Sequence, residues 1–304
     1  MMENKVAVSI VIPAKNEEHH IGECLDAVYR QATDFPYEVI VIDSGSTDHT
    51  VDIVRQFKAV RLLEIPAASF GHGKTRNLGA TIASGADVVF LNADAIPANS
   101  RWLSSLMNGL HHEKRAGIFS RHLPKKECYL YMSRDLAQSM PETPSVRNQT
   151  NTLDFMIFST VSGAVRRSIW QEFPFADDII IAEDQQWAKK VLEQGYTIAY
   201  EPASQVYHSH NYSPRQLFLI KQQVGFATSP FKNRFSALVY GFILVMGGIL
   251  FKLAGDAAFI FFKNREALPF RRRLKEFKIA IYARVAGFWG RYIGWLHAKQ
   301  HHKK

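Results

Sequence analysis

The chain has 304 residues, of which 47% are apolar and 21% charged, with 18 glycines and 12 prolines. This composition excludes a disordered or collagen-like polymer and allows one large or two smaller folded domains. Cys24 and Cys128 are too few for a disulfide framework, and the first twenty residues lack an apolar signal core, so we expect a cytoplasmic protein.

The net charge of +9 comes from the C-terminal end of the chain. From Lys263 onward there are 12 Lys and Arg residues against two Glu residues, whereas residues 1–262 carry 25 basic and 26 acidic side chains. A basic body suited to nucleic acid is therefore not favoured, and we expect no nucleic-acid partner.

Strand and helix patterns alternate through the first hundred residues. The predicted strands are 6–12, 38–42, 60–65 and 88–91, and the predicted helices are 21–28, 48–57 and 75–83. Pro13 is expected to end the first strand. Such alternation is typical of a doubly wound, mostly parallel α/β sheet, in which ligands bind at the carboxyl ends of the strands.

The middle of the chain has a less regular pattern. Residues 124–151 lack periodicity and contain two prolines, which predicts an irregular excursion or mobile loop. Sheet structure is expected over 154–165, a helix over 184–194 that ends at Gly195, and a further strand over 197–200.

A carboxylate ends the second predicted strand. Asp43 could accept hydrogen bonds from a nucleobase or ribose there. The simpler interpretation is that Ser46, Thr47 or Asp48 caps the next helix, and both interpretations can hold together.

A glycine-rich, basic segment follows the third predicted strand. Gly71 and Gly73 permit close backbone approach, and His72, Lys74 and Arg76 supply positive charge at a helix start. This combination suits a phosphate-bearing ligand, although the Walker A spacing is absent.

Candidate metal ligands occur at two places. Asn92 and Asp94 follow the fourth predicted strand, and their spacing lets both oxygens face one divalent cation; a turn is the simpler interpretation of the pair alone. His208 and His210 share one face of an extended segment, where one imidazole could bind a metal or both could lie on the surface.

Two adjacent carboxylates, Glu183 and Asp184, precede the predicted helix at 184–194. They can be ordinary first-turn charges, or one of them can be a general base for a hydroxyl nucleophile.

The C-terminal portion contains two apolar patterns. Residues 237–251 carry no charge, but fifteen residues are short for a membrane span of about 20, and extension would include Lys252 and Asp256. A buried helix or a helix in the plane of the membrane is therefore expected. Beyond residue 270, apolar side chains recur at steps of three and four between basic ones that include Arg284, as in a helix on anionic lipid.

Aromatic residues on this second helix, Trp289, Tyr292 and Trp295, are expected at the level of the lipid headgroups. The alternative is a solvated, basic helical bundle that closes the preceding domain.

Taken in chain order, segments 8–18, 42–48, 92–94 and 183–184 resemble the motifs of the family 2 glycosyltransferases, which are inverting nucleotide-sugar enzymes of the A-type fold. The resemblance covers roughly residues 6–215. Segments 70–77 and 207–213 look most like the rhamnosyltransferases that build bacterial surface polysaccharides.

The resemblance implies a nucleotide-sugar-binding catalytic domain over residues 1–230 and leaves 231–304 as a helical, basic segment associated with the membrane surface or the acceptor. It implies transfer of a hexose or deoxyhexose from a nucleoside-diphosphate donor, dTDP-rhamnose being favoured over a UDP-sugar. The implied acceptor is polyprenyl-linked or a polysaccharide, and the implied location is the cytoplasmic face of the inner membrane.

The resemblance also implies roles for individual residues. The nucleoside pocket would be lined by Pro13, Ala14, Asn16, Glu17 and Asp43. Gly73, Arg76 and Asn92 would approach the donor. Asp94 would hold Mg²⁺ or Mn²⁺ with His208 or His210, and Asp184 would be the base, with Glu183 left open as the alternative.

One position departs from the family pattern, because many members have Asp where this chain has Asn92. A neutral amide leaves one negative charge fewer for the cation, so metal affinity would depend more on the diphosphate and a histidine.

Two other classes remain as alternatives. A sugar-nucleotide nucleotidyltransferase would need a basic first strand-to-helix loop, but that loop contains only Lys15. A non-enzymatic nucleic-acid-binding protein with a basic tail would form a salt-dependent complex, which the near-neutral body does not favour.

Overall fold

The computed structural model describes residues 6–149, 157–179, 181–229, 234–264 and 266–298. The chain forms two compact units: the first comprises Met1–Leu123 and Ser139–His208, and the second comprises Pro124–Gln138 and Ser209–Lys304. These units do not coincide with the functional division expected at residue 230, which stays a prediction.

The first unit contains a single sheet of nine strands within the described residues. The strands are β1 (Val8–Ala14), β2 (Tyr37–Asp43), β3 (Val60–Glu64), β4 (Asp87–Leu91), β5 (Ile96–Pro97), β6 (Arg115–Leu123), β7 (Ser145–Arg147), β8 (Ser162–Arg166) and β9 (Thr197–Tyr207). Their order is β3-β2-β1-β4-β8-β6-β9-β5, and β7 pairs with β9.

The helices are α1 (Ile21–Tyr29), α2 (Thr50–Val54), α3 (His72–Ile82), α4 (Trp102–Leu110), α5 (Leu130–Ser139), α6 (Arg167–Glu172), α7 (Glu183–Glu193), α8 (Pro214–Ala227), α9 (Arg234–Ala258) and α10 (Phe270–His297). A π-helical turn, Phe259–Lys263, follows α9. Helices α5, α8, α9 and α10 belong to the second unit, except for Ser139, the last residue of α5.

The half of the sheet formed by β1 to β4 is parallel, as predicted. Ile10, Val11 and Ile12 are fully buried because β1 is covered on both faces, which is what a continuous apolar run requires. The other half is mixed: β8 runs antiparallel to both β4 and β6, and β9 runs parallel to β6. It follows that β1, β2, β4, β6 and β9 all end at one edge of the sheet.

Pro13 does not end β1, contrary to the prediction. It pairs with Ile42 of β2, and β1 continues to Ala14. The pairing of β1 with β4 ends at Val11, so Pro13 lies where β1 has one neighbour and a missing N–H group costs little.

The predicted irregular excursion at 124–151 was wrong where it is described, because α5 and β7 form there. Of the sheet structure expected over 154–165, residues 154–156 lie outside the described part, and β8 covers the end of the range. Helix α2 is shorter than predicted, α3 begins earlier, and β9 extends seven residues further, to Tyr207.

The second unit is built around a buried cluster of charged side chains. Asp256 is fully buried and accepts hydrogen bonds from Arg134 at 2.9 Å and from Arg284 at 2.7 Å and 2.8 Å. Asp135 binds Arg284 through two bonds and Lys252 at 2.9 Å. Both charges that interrupt the apolar run of α9 therefore have ionic partners, which offsets their cost in an apolar setting.

These contacts correct two expectations for α10. Arg284 is buried in this cluster and does not face outward among the basic residues. Tyr292 is also buried, and its hydroxyl donates to the carbonyl of Leu238. The buried face of α10 consists mainly of small residues, since a Cβ atom at Gly290 or Gly294 would lie within 2.3 Å of a carbonyl oxygen of α8.

Within the described residues, one helical segment is long and apolar enough to cross a membrane. It spans the 29 residues Phe235–Lys263, and its most apolar stretch of 18 residues has a mean hydropathy of 2.1. Much of its surface is exposed: Phe251 is 75% and Phe262 is 80% exposed.

Candidate functional site

The loops after β1 and β2 are joined by hydrogen bonds at the carboxyl edge of the sheet. The side chain of Asn16 accepts from the backbone N–H of Thr47 at 2.8 Å, and the N–H of Asn16 donates to the hydroxyl of Ser46 at 2.9 Å. The N–H of Glu17 donates to the hydroxyl of Thr50 at 2.7 Å. Asn16 has a left-handed backbone with φ of 54°, which Asn tolerates better than most residues.

Asp43 is buried at the end of β2 and shapes the loop that follows it. One carboxylate oxygen accepts from the N–H groups of Gly45 at 3.0 Å and Ser46 at 2.9 Å, and the other accepts from the Ser46 hydroxyl. Asp48 accepts from the N–H of Thr50, the first residue of α2, whereas the N-cap residue itself, His49, makes no side-chain capping bond. Burial alone would raise the pKa of Asp48, but hydrogen bonds from Thr50 and Glu18 lower it.

Pro13 and Ala14, at the end of β1, lie beside these loops in the sheet, because Ala14 pairs with Asp43. The five residues expected around the nucleoside therefore belong to two adjacent strand ends. The structure brings them together as predicted in position, and their role stays a prediction.

Asp94 and His208 approach each other from opposite parts of the sequence. Asp94 lies between β4 and β5, and His208 follows β9, the strand to which β5 pairs. An oxygen of Asp94 is 3.5 Å from Nε2 of His208, and each side chain offers one ligand atom for a metal ion. The carboxylate suits a hard divalent cation such as Mg²⁺ or Mn²⁺, and the imidazole favours a transition metal over Mg²⁺. His210 lies two residues further along, beyond the end of the first unit.

The side chain of Asn92 is hydrogen-bonded to an arginine. Its side-chain oxygen accepts a hydrogen bond from Nη2 of Arg76 at 3.0 Å. The neutral amide of Asn92 is thus a partner of Arg76. Of the two candidate metal ligands at this place, Asn92 and Asp94, only Asp94 carries a charge.

Arg76 also binds Glu183. Nη1 of Arg76 donates to Glu183 at 2.8 Å, and both side chains are only 6% exposed. A third bond runs from Nη1 to the carbonyl of His72 at 3.2 Å. Arg76 is therefore buried and neutralises Glu183; the approach to the donor that the resemblance implied for Arg76 stays a prediction.

Asp184, the next residue, has a different environment. Its oxygens accept from the backbone N–H of Gln185 at 2.8 Å and of Thr160 at 3.4 Å. Burial, and then the charge of Glu183, raise the pKa of Asp184 to about 6, against the opposing effect of Arg76. Ala182, just before this pair, has a strained left-handed backbone with φ of 72°, as often occurs at functional sites.

The glycine-rich segment at the start of α3 has a packing explanation. A Cβ atom at Gly73 would lie 2.1 Å from the carbonyl oxygen of Ala176, so only glycine permits this approach. Desolvation, and then the charge of Arg76, lower the pKa of His72, so this side chain does not supply the positive charge that the sequence suggested.

His122 was not predicted to belong to the site. It is buried near the end of β6, and its ring lies edge-on to that of His208, with centroids 5.5 Å apart. Burial, and then His208, lower its pKa well below the usual value. The short apolar run before it, Ala116–Phe119, could have indicated strand β6 and hence this position.

The sequence matches known proteins over most of the first unit. Residues 9–173 match the family model of glycosyl transferase family 2. The chain is 33% identical over 222 residues to the O-antigen chain rhamnosyltransferase RfbN of Salmonella typhimurium, with 69% of each chain covered. It is 31% identical over 201 residues to the O-antigen chain rhamnosyltransferase WbaN of Salmonella anatum, with 62% of each chain covered.

Solved structures share the fold at lower identity. A mannosyltransferase from Pyrobaculum calidifontis, in complex with GDP-Man and Mn²⁺, has a TM-score of 0.58 at 22% identity, covering 93% of this chain and 87% of that chain. TarS of S. aureus has a TM-score of 0.56 at 20% identity, covering 95% of this chain and 55% of that chain.

Proposed function

Because the chain belongs to glycosyl transferase family 2, we propose that it transfers a hexose or deoxyhexose, with dTDP-rhamnose the favoured donor, to a hydroxyl of a lipid-linked or polysaccharide acceptor. The family, the A-type α/β fold and the glycosyltransferase activity expected from the sequence are confirmed by the comparisons. The choice of donor is supported by the two rhamnosyltransferases at 33% and 31% identity.

The observation that carries the proposal is the double contact of Arg76. It binds Asn92, two residues before Asp94, and Glu183, the residue before Asp184. One buried guanidinium therefore ties the segment of the proposed metal ligand to the segment of the proposed base. An inverting displacement needs these two functions on a common scaffold, because leaving group and nucleophile are on opposite sides of the anomeric carbon.

Asp184 is better suited than Glu183 to be the base. The carboxylate of Glu183 is engaged by Arg76 in a buried ion pair, so it is not free to approach an acceptor hydroxyl. With a pKa of about 6, Asp184 is mostly ionised at neutral pH and is still basic enough to take the proton of an acceptor hydroxyl. The proposal therefore assigns general-base catalysis to Asp184 and a positioning role to Glu183.

The residues that would hold a divalent cation are Asp94 and His208, with His210 proposed as a further ligand from its position in the sequence. The carboxylate and imidazole fit Mn²⁺ in chemical type. When bound, such a cation would neutralise charge on the leaving diphosphate. Mg²⁺ is the alternative, although it usually prefers a set of oxygen ligands.

The loops after β1 and β2 would hold the nucleoside of the donor. Pro13, Ala14, Asn16, Glu17 and Asp43 supply a rigid wall, because the two loops are already joined by hydrogen bonds. Preformed walls reduce the ordering cost of binding, so donor binding would need little rearrangement here.

The second unit would hold the protein at the cytoplasmic face of the membrane. Exposed aromatic and aliphatic side chains, such as Phe251 of α9 and Phe262 of the π-helical turn that follows it, would contact lipid. Arg271, Arg272 and Arg273 at the start of α10 would attract anionic headgroups at about 1 kcal/mol each.

Titration calorimetry with dTDP and with UDP, each with and without Mn²⁺, tests the proposal. We expect dTDP to bind with metal-dependent affinity, and Asp94→Ala to remove the metal-dependent part. Asp52→Ala is the matched control, because this carboxylate is exposed on α2. Failure of folded protein to bind either nucleotide would refute the proposed nucleotide site. Tighter binding of UDP than of dTDP would refute dTDP-rhamnose as the donor.

A further inference from the structure

The side chain of Gln185, in the first turn of α7, binds the backbone of two consecutive residues. Its amide oxygen accepts from the N–H group of Ile157 at 2.9 Å, and its amide nitrogen donates to the carbonyl of Phe158. A primary amide carries both a donor and an acceptor, so it can pair with a backbone segment as an adjacent strand does. Gln185 therefore fixes this segment relative to helix α7.

Residues 157–161 form a buried loop that leads into β8. Each of the residues 157–160 is at most 3% exposed. The ring of Phe158 packs against Trp187 of α7, with centroids 4.9 Å apart, and against Phe119 of β6 at 6.2 Å. Buried backbone groups need hydrogen-bond partners, and the amide of Gln185 serves one N–H group and one carbonyl of this loop.

The far end of this loop contacts both segments that the proposed chemistry uses. The N–H group of Thr160 donates to Asp184 at 3.4 Å. The carbonyl of Val161 accepts from the N–H group of Asn92 at 2.9 Å. The loop is thus anchored to the end of β4 through Asn92 and to α7 through Gln185. Thr160 lies between these anchors, so the position of its N–H group relative to Asp184 depends on both.

Asp184 receives a second hydrogen bond directly from Gln185, whose own N–H group donates to the other carboxylate oxygen at 2.8 Å. Hydrogen bonds to a carboxylate stabilise its charged form, so both N–H groups lower the pKa of Asp184. Gln185 therefore supplies one donor to the carboxylate and holds the loop that supplies the other. The charged or titratable groups that also act on Asp184 are Glu183 on α7, and Arg76 and His72 on α3.

We propose that Gln185 is a positioning residue for the general base, because its side chain holds the loop from which Thr160 donates to Asp184. The inference rests on the proposed function, in which Asp184 takes the proton of the attacking hydroxyl. A carboxylate that is held by two fixed donors keeps one orientation, and its remaining lone pairs then face a constant direction. Loss of the side-chain amide would let Thr160 move away, while the backbone donor of Gln185 would stay in place.

The first experiment measures the titration of Asp184 in the full-length protein. The method is ¹³C NMR of aspartate carboxyl groups, with the signal assigned by its loss in Asp184→Asn. Gln185→Met removes both hydrogen bonds of the side chain and keeps its length. Gln186→Met is the matched control, because it makes the same change at the next residue, whose side chain is exposed.

We expect Gln185→Met to move the titration midpoint of Asp184 upward by about 0.5 pH unit or more, because the carboxylate loses the donor of Thr160. The packing of Phe158 keeps the loop buried, so desolvation of Asp184 changes little. Gln186→Met should move the midpoint by no more than about 0.2 pH unit. A midpoint that stays or falls in folded Gln185→Met, or equal shifts in the two variants, would overturn the proposal.

The second experiment follows the release of dTDP from dTDP-rhamnose with MnCl₂ present, so that no acceptor is needed. In this reaction water attacks the anomeric carbon, the bond to the diphosphate oxygen breaks, and Asp184 takes the proton of the water. Gln185→Met should slow the release about tenfold at neutral pH, and its affinity for dTDP in calorimetry should stay within about twofold. Equal losses of rate and affinity would show a merely structural role and overturn the proposal.

Gln185→Asn replaces Gln185→Met if the methionine variant does not fold. Its amide is one methylene shorter and cannot span both backbone groups, so the midpoint should again move upward. The two experiments keep the proposals apart. A shifted midpoint in a protein that releases no dTDP at all would refute the proposed function alone. Release of dTDP with an acid limb that Gln185→Met leaves in place would overturn the positioning role alone.

Discussion

Arg76 and Glu183 form a buried ion pair, 107 residues apart in sequence, in which Nη1 donates to the carboxylate at 2.8 Å. Glu183 directly precedes Asp184 in the chain. The charge of Glu183 raises the pKa of Asp184, and the charge of Arg76 lowers it. Arg76 also reaches Asn92, so its removal would disturb the end of β4 and the start of α7 together.

Glu183→Gln should destabilise the protein by about 3 kcal/mol, because it leaves the Arg76 guanidinium buried without an opposite charge. Urea denaturation followed by circular dichroism measures the loss. Glu64→Gln is the matched control, since Glu64 pairs with Arg55 at 2.7 Å with both side chains exposed, and should cost less than about 1 kcal/mol. Equal losses for the two variants would contradict the buried pair.

Asp184→Asn should lower kcat by about 10² to 10⁴, the usual contribution of a general base, and leave donor affinity within about threefold. In the unmodified enzyme, protonated Asp184 is inactive, so kcat/KM should fall about tenfold per pH unit below pH 6 and level off above it. Glu183→Gln should move this acid limb to lower pH, because the charge of Glu183 raises the pKa of Asp184. A limb that stays in place would argue against Asp184 as the titrating group.

Asn92→Asp should change the affinity for Mn²⁺ by no more than about threefold. The new carboxylate would be held by Arg76, which already donates to this position at 3.0 Å, and so would add little charge to the cation. Calorimetry with MnCl₂ and dTDP measures the effect, with Asn92→Ala alongside. A gain of tenfold or more for Asp would mean that residue 92 faces the metal.

Asp256→Asn should destabilise the second unit by about 3–5 kcal/mol, since Arg134 and Arg284 would share a neutral partner in a fully buried place. Thermal unfolding provides the measurement. Lys275→Gln, an exposed change on α10, should stay within about 0.5 kcal/mol. A cost below about 1 kcal/mol for Asp256→Asn would show that the cluster is hydrated.

Replacement of Phe251 and Phe262 by Ser should reduce partition into anionic vesicles at least tenfold. Each exposed Phe side chain would contribute about 1.5–3 kcal/mol on burial in lipid. Vesicle co-sedimentation measures the effect, with Tyr29→Ser in the first unit as the control. If the double variant sediments with vesicles as the unmodified protein does, Phe251 and Phe262 do not contact lipid.

The parallel half of the fold could be predicted because its strands are buried on both faces and therefore appear as continuous apolar runs. The end of α7 was equally clear, since Gly195 adopts a φ of 82° that other residues avoid. Strand β9 was underestimated because Pro202 and polar residues continue it past Tyr200, and the pairing with β6 changes register there. Composition alone does not distinguish such a strand from a loop.

The chemistry of the site could be predicted from residue types that follow strands, but the partners of those residues could not. The contact between Arg76 and Glu183 depends on two distant segments, and so does the place of His122 beside His208. The buried face of α10 was missed for another reason. It consists mainly of glycine and alanine, which give close packing without a strongly apolar pattern.

The course of the chain between the two compact units limits how the protein can be divided. The polypeptide leaves the first unit at Leu123, returns at Ser139 and leaves again at His208. A fragment that ended at residue 230 would keep Arg134 and Asp135 but lose Asp256, Lys252 and Arg284, their ionic partners. The C-terminal helices are therefore not a detachable module, and exchange between relatives would have to transfer helix α5 with them.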